Sequence, residues 1–314
     1  MKKIAFHSNH LNLRGIEVNL YNYAKYNEEI LGNKSIIFVH PTSDLTSLSK
    51  FKERFEVNIL DWENEKSYIE QNNFDYFYVS KMGIRDKYLI ESVPTIVHAV
   101  FRFNNPHGYK YLYISDWLAT DQGYDPEMYS LPYICEKLPS PEYDLREKLS
   151  LDSSKTVFGY YGGNDSFDIP FVKNEVIPRI VKDRNDIVFI FMNIDKFIDH
   201  PNVLFLKGSY NLYEKSSFVN ACDAMLHARF RGETFGLAVA EFSQENKPVI
   251  TYSDSSEKCH INILGDKSIL YSDGFSLYNI LNNLEDYIHH NDYYEPYLKF
   301  SPKIIINKFK TFIR

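Results

Sequence analysis

Residues 221–252, ACDAMLHARFRGETFGLAVAEFSQENKPVITY, hold the densest set of side chains able to do chemistry. Two guanidinium groups, Arg229 and Arg231, precede a carboxylate, Glu233, and the run Phe235-Gly236-Leu237 leads to a second carboxylate, Glu241. If a helix starts there, the N–H groups of Phe235, Gly236 and Leu237 lack intrahelical partners and carry the dipole's positive end, roughly half an elementary charge. Gly236 lets an anion come close without a Cβ in the way. Arg229 and Arg231 add donors shaped for phosphate oxygens. Glu233 is a carboxylate in a cationic loop, so its expected partners are sugar hydroxyls rather than phosphate. The chemistry is that of a site for an anion carrying a sugar. The plain alternative is a capped helix with one solvated Glu.

The elements that must position these groups follow from pattern. Residues 223–227 form a short apolar strand, and the loop is polar from Arg229 onward. Residues 236–243 are mostly helix formers with an apolar stripe, stopped by Asn246-Lys247-Pro248 before a β-branched strand at 249–251. The loop thus lies at the C-terminal end of a buried parallel strand, where open α/β sheets bind ligands.

The run Glu233-Thr-Phe-Gly-Leu-Ala-Val-Ala-Glu241 resembles the E-x7-E motif of retaining GT-B glycosyltransferases of the family-4 type, and Phe242-Ser-Gln-Glu-Asn-Lys-Pro-Val-Ile250 resembles that family's continuation. The resemblance implies an α/β chain with two Rossmann-like, doubly wound parallel-sheet domains facing a central cleft. It implies a nucleotide-diphosphate sugar as donor substrate, a glycan or other hydroxyl acceptor, and no cofactor. Glu233 would contact the transferred sugar and Glu241 the ribose. No D-x-D run stands in a metal-binding context, so basic side chains and amides are expected in place of a divalent ion.

Taken in order, the chain alternates strands and helices as a doubly wound sheet does. Strands are expected at 3–8, 35–39, 56–60, 76–79 and 94–99, with helices up to residue 31 and over 45–53 and 64–72. The loop after the first strand holds Arg14-Gly15, where the resembling family has a glycine-rich loop facing the donor phosphates; Arg14 would supply a donor. His98 ends a buried strand, and the family often has a histidine there that contacts the transferred sugar, which makes His98 a catalytic candidate. The alternative for His98 is a hydrogen bond to a backbone carbonyl in the core. Arg102, Asn104 and His107 crowd the following loop as an acceptor-recognition surface.

A second domain opens with a strand from Thr156 that runs into Gly162-Gly163, a phosphate cradle before a helix from about Pro170. It lacks G-x-G-x-x-G and a strand-ending acid about twenty residues later, which disfavours a Rossmann dehydrogenase. The family carries a Gly-Arg pair and a Lys here; this chain has Gly159-Tyr160 and Asp165. Arg229, Arg231 and Lys207 are the candidates to replace that charge. Strands are expected at 187–192, 203–206 and 268–271, and helices over 212–221 and 275–289.

Composition bounds the rest. A length of 314 residues suits two α/β domains, and 44% hydrophobic residues suffice for packed cores. The 25 Tyr and 23 Phe suit sugar stacking, although an AT-rich coding sequence is the expected source of most of the excess. A net charge of −7 gives no field for nucleic acid. Three cysteines without C-x-x-C spacing argue against disulfides and zinc. The start MKKIAFHS reads as a strand and not a signal peptide, and no run reaches the ~20 apolar residues of a membrane helix. A soluble, cytoplasmic protein is expected. The basic, apolar tail over 303–314 is expected to pack on the first domain, with a membrane-surface helix as its rival. The expected division is 1–140 for the acceptor side, 141–290 for the donor side and 291–314 for the returning helix, with a Pro-rich linker over 130–145. The function expected is metal-independent, retaining transfer of a hexose-like sugar. The alternatives are a nucleotide-sugar epimerase on the same fold and a catalytically silent nucleotide- or carbohydrate-binding protein. Base, sugar, acceptor and oligomeric state are left unspecified.

Overall fold

Strands covered on both faces read as largely apolar runs, and the central strands here do, IVFIFM at Ile187–Met192 above all. In the computed structural model, which describes residues 1–290 and 292–314, they build two units, Met1–Ile134 with Phe300–Arg314 and Cys135–Lys299.

The first unit contains β1 (Lys3–Ser8), β2 (Lys34–Val39), β3 (Glu56–Ile59), β4 (Tyr76–Lys81), β5 (Thr95–Ala99) and β6 (Lys110–Tyr113). All pair in parallel, in the order β3-β2-β1-β4-β5-β6. The helices Gly15–Glu29, Leu48–Arg54 and Trp62–Gln71 supply the crossovers that parallel pairing requires. Local signals set their starts: the Asp61 side chain accepts from the Asn64 amide, and the Ser115 side chain caps the helix Asp116–Asp121.

The tail helix, Pro302–Phe312, belongs to this unit. It buries Ile305, Ile306, Phe309 and Phe312, with the Phe309 ring 5.4 Å from Tyr23. Lys308 Nζ donates to the Pro126 carbonyl and to Ser130 Oγ, and the Tyr76 hydroxyl donates to the Arg314 carbonyl. The apolar stripe that could have lain on a membrane is thus covered by the unit's own core. Among the described residues, no helix is long and apolar enough to cross a membrane.

The second unit contains β7 (Thr156–Tyr161), β8 (Ile187–Met192), β9 (Val203–Leu206), β10 (Ala224–His227), β11 (Gly232–Glu233), β12 (Val249–Tyr252), β13 (Glu257–Lys258) and β14 (Ser268–Tyr271). Its six-stranded parallel sheet runs β14-β12-β10-β7-β8-β9, with β11 and β13 forming a two-stranded parallel annex. Numbered within its own unit, each large sheet has the order 3-2-1-4-5-6 of the doubly wound dinucleotide fold. The chain direction reverses beside β1 and β4 in the first unit and beside β7 and β10 in the second. At such switch points a crevice opens beyond the strand ends.

Two boundaries differ from expectation. The helix expected over 275–289 runs only Gly274–Asn282, then continues as a 3-10 turn at Leu284–Tyr287. Asp273 and Ser276 form a capping box at its start, and the sequence's alternating apolar residues hide the break. The helix expected to begin at Gly236 begins at Leu237, because Gly236 is its left-handed cap, at φ 92°. Cys135, Cys222 and Cys259 are all buried.

Candidate functional site

The loops that leave β7 and β10 meet the second unit's switch point, and they carry most of the residues singled out from the sequence. After β10 the chain turns through Arg229 and Phe230 and enters β11. Gly232 is required there: its φ is 80°, and a Cβ would stand 2.0 Å from the Glu257 carbonyl oxygen of β13. That close parallel contact sets Glu233 just before the cap at Gly236 and the eight-residue helix Leu237–Gln244.

Glu233 is held from two sides. Arg229 Nη1 donates to its Oε1 at 2.9 Å, and His227 Nε2 lies 3.4 Å from the same oxygen. Burial works against its charge, but Arg229 and then His227 outweigh it and hold the carboxyl at about 2. Glu233 is therefore ionised at any ordinary pH. Both of those contacts fall on Oε1, and neither falls on Oε2.

Behind Glu233 stands a buried polar chain. His227 and Thr251 are register partners on β10 and β12, and His227 Nδ1 is 2.8 Å from Thr251 Oγ1. His260, on the helix Cys259–Leu264, places Nε2 at 2.9 Å from the same hydroxyl, and the two imidazole rings are 4.7 Å apart. His227, Thr251 and His260 are each at most 1% exposed. Burial, with His227 adding to it, pushes His260 well below the usual histidine range.

The two arginines differ from expectation in one respect. Arg229 pairs with Glu233, and Arg231 Nη2 lies 2.7 Å from Glu257 Oε1, a carboxylate nearly closed off from solvent. Burial raises Glu257, with Arg231 working the other way. The loop is therefore close to charge-balanced rather than cationic, because Glu257 arrives from a segment 26 residues further on, beyond the reach of local sequence reading. Glu241 is also paired. Both its oxygens lie 3.1 Å from Lys215 Nζ, on the helix Leu212–Ala221, with each side chain about one-tenth exposed.

Gly162 and Gly163 leave β7 in a turn whose carbonyls face inward. The Gly162 carbonyl accepts from Asn193 Nδ2 at 2.7 Å, and that of Gly163 accepts from the Ser166 amide and hydroxyl. Lys207 follows the edge strand β9 and is exposed. Phe235 is buried, its ring 6.1 Å from that of Tyr297.

The remaining candidates lie in the first unit. Arg14 is the exposed residue preceding the helix Gly15–Glu29, and Gly15 is that helix's first residue. Arg102 makes a two-pronged bond to Asp121, with Nε and Nη2 donating at 2.9 and 2.8 Å. Asn104 accepts from the Tyr124 hydroxyl, and His107, pushed down by burial, bonds the Asn105 carbonyl. His98 lies in the core at 0% exposure: Nε2 donates to the Leu131 carbonyl at 2.6 Å, and Nδ1 faces the Tyr78 hydroxyl at 2.5 Å. Burial drives it down to about 3. Both ring nitrogens are used inside the unit, so the structure places His98 in the carbonyl-bonded alternative and shows no free nitrogen for a substrate.

His227, Thr251, His260, Lys215 and Glu257 were not singled out from the sequence. The one available signal was His227 ending the strand before the arginine loop. The others act through pairings 9 to 26 residues apart that only the fold creates.

No protein-family model matches the sequence, and no curated protein matches it. Solved structures do match throughout. HepE of Anabaena, in complex with UDP-glucose, aligns over 99% of both chains at TM-score 0.73 and 16% identity. A glycosyltransferase from Rickettsia africae aligns over 99% of this chain and 97% of its own at TM-score 0.72 and 12% identity. A Listeria monocytogenes protein assigned as a UDP-N-acetylglucosamine 2-epimerase aligns over 99% and 95% at TM-score 0.64 and 12% identity. At these identities the likeness shows the fold, and that fold is GT-B: an α/β chain with two six-stranded, doubly wound parallel sheets.

Proposed function

We propose that this chain is a retaining glycosyltransferase that moves a sugar from a nucleotide-diphosphate sugar to a hydroxyl acceptor. The observation that carries the reading is Glu233: an ionised carboxylate, anchored through Oε1 only, beside a helix start at the sheet's switch point. Such a group accepts hydrogen bonds from sugar hydroxyls without needing to move. As the bond to the diphosphate breaks, the amides at Phe235, Gly236 and Leu237 would meet the charge growing on the leaving oxygen. Arg229 and Arg231 would assist as cations beside it. Glu241, held by Lys215, would receive the ribose hydroxyls, and Gly162-Gly163 and Lys207 are assigned to the diphosphate. The acceptor is assigned to the first unit, on the loop holding Arg102, Asn104 and His107. The reading calls for no metal ion and no cofactor.

The test is a thermal-shift panel of nucleoside diphosphates, each with EDTA and with magnesium, followed by sugar transfer with the matching donor. Binding at a hundred times Kd adds about 2.7 kcal/mol to native stability and moves the midpoint by degrees. A metal-independent shift by one nucleotide supports the reading, and a flat panel sinks it.

Two observations favour other readings. The likeness to the Listeria protein favours a nucleotide-sugar epimerase, which would interconvert nucleotide sugars with no acceptor present. The pairing of each site arginine with a carboxylate favours a silent binder, which would shift in the panel yet transfer nothing.

A further inference from the structure

We infer that His260, Thr251 and His227 form a one-directional hydrogen-bond relay that positions Glu233, with every proton in it assigned by the groups at its two ends. At one end, Glu233 is a carboxylate and only accepts, so the ring nitrogen facing it, His227 Nε2, carries a proton. In the neutral ring His227 Nδ1 then bears a lone pair and accepts from the Thr251 hydroxyl. That hydroxyl has a single proton. Having given it to His227, Thr251 Oγ1 accepts from His260 Nε2–H. At the far end His260 Nδ1 is buried with no hydrogen-bond partner. An orphaned lone pair there is tolerated far better than an orphaned N–H, which gives the same direction independently. Burial keeps His260 neutral, as this assignment requires.

The groups facing His227 agree with the assignment. Glu233 and Arg229 face it from the loop side, His260 from its helix, and the Tyr160 ring from β7 at 5.8 Å. The Tyr271 hydroxyl of β14 bonds its carbonyl at 3.2 Å. None of these offers His227 Nδ1 an alternative to Thr251 as hydrogen-bond donor. The relay thus does for Glu233 what a hydrogen bond on the remote nitrogen does for a catalytic or metal-bound histidine: it selects the tautomer and locks the ring. His227, Thr251 and His260 are positioning residues, and they act through Glu233 rather than on the sugar.

The inference rests on the proposed function only for its catalytic readout, so the experiment has two independent parts. In the full chain, with histidine ring nitrogens labelled with nitrogen-15, His227 and His260 should both be neutral with the proton on Nε2 at pH 7. A proton on Nδ1 of either ring, or a cationic His260, overturns the relay whatever the protein does. In the second part, Thr251→Val removes the hydroxyl at nearly constant volume. The kcat for sugar transfer should fall about tenfold with the donor KM within about twofold, because the carboxylate is misaimed rather than lost. Thr251→Ser should restore kcat. An unchanged kcat in the valine variant, or a serine variant as slow as valine, overturns the relay. If the parent chain binds no nucleoside diphosphate and transfers nothing, the proposed function fails and the ring tautomers still decide the relay.

Discussion

The two units share one strand order, and each has a histidine near the C-terminal end of a buried strand, yet the two histidines lead to opposite places. His98 on β5 spends its nitrogens on Tyr78 and a backbone carbonyl, so its polar chain closes inside the core. His227 on β10 spends one nitrogen on Thr251 and turns the other to Glu233, so its chain opens on a partly exposed carboxylate. Topology puts both at the edge where ligands bind. What separates the two histidines is the partner of the second nitrogen. The titratable groups follow the same division: Glu17, buried in the first unit, is pushed up to about 7, whereas Glu233 is held at about 2 by the arginine and histidine beside it.

The sharpest way to break this contrast is Glu233→Gln. The amide keeps the shape and loses the charge that Arg229 and His227 are arranged around. Sugar transfer should fall by about two orders of magnitude, the scale set by removing one preorganised polar group from an active site. Steady-state kinetics with the donor found in the binding panel measure this, and full activity in the variant would remove Glu233 from the mechanism. A second break, read in stability, is Lys215→Met, which leaves the Glu241 carboxylate without its cation at about one-tenth exposure. Breaking a buried pair costs about 3–5 kcal/mol, read from the denaturant midpoint, and the donor KM should rise with it. His98→Phe comes third: it orphans the Tyr78 hydroxyl and the Leu131 carbonyl and should cost about 2–4 kcal/mol of stability. Here kcat of the folded variant should stay within about twofold of the parent. A large fall in kcat with stability intact would reverse the assignment of His98 to packing.

Much of the fold was legible because parallel strands covered on both faces write themselves as apolar runs; YFYVSK at β4 and IVFIFM at β8 could hardly be anything else. The loop from Arg229 to Leu237 was legible too, since its residue types are local to one another. Its charge balance was not. Glu257 neutralises Arg231 from across β11 and β13, and Lys215 reaches Glu241 from the preceding helix. Gly236 was singled out for an anion's close approach, whereas a left-handed cap at φ 92° accounts for it in the structure. His260 carries no signal in the sequence, because nothing in one dimension shows that its ring meets Thr251. Local chemistry reads well from sequence; the second partner of each polar group does not.

Fourth in size, the opposite perturbations of Glu17 and Glu233 give the units opposite pH responses. Glu17 is raised by burial above all, with its own amide and Arg14 working against that and Asp44 adding to it. A carboxyl whose folded value is raised contributes stability below its unfolded value, near 4.5, and that contribution is lost as pH climbs through about 7. Glu17→Gln should therefore stabilise the protein by roughly 1–3 kcal/mol at pH 8 and by nothing at pH 4. Glu233 has the reverse sign: its contribution is present above its unfolded value and is lost as pH falls toward 2. Urea titrations at the two pH values compare them, and a Glu17 variant whose gain does not grow with pH contradicts the assignment.

The smallest expected effect separates acceptor from donor. Arg102 and Asp121 form a well-aligned pair, but Arg102 is 41% exposed, so solvent screens it and Arg102→Ala should change stability by less than about 1 kcal/mol. That near-silence makes the variant useful, because any kinetic change then reports contact rather than folding. If the loop after β5 receives the acceptor, the acceptor KM should rise severalfold while the donor KM stays put. Arg231→Ala in the second unit should do the reverse, raising the donor KM and sparing the acceptor's. Arg231 also neutralises Glu257, so this variant carries a stability cost that Arg102→Ala does not. Dividing each KM ratio by the same ratio at saturating co-substrate removes shared effects. A crossed result, with Arg102 acting on the donor, would move the donor assignment out of the second unit and with it the functional contrast between His98 and His227.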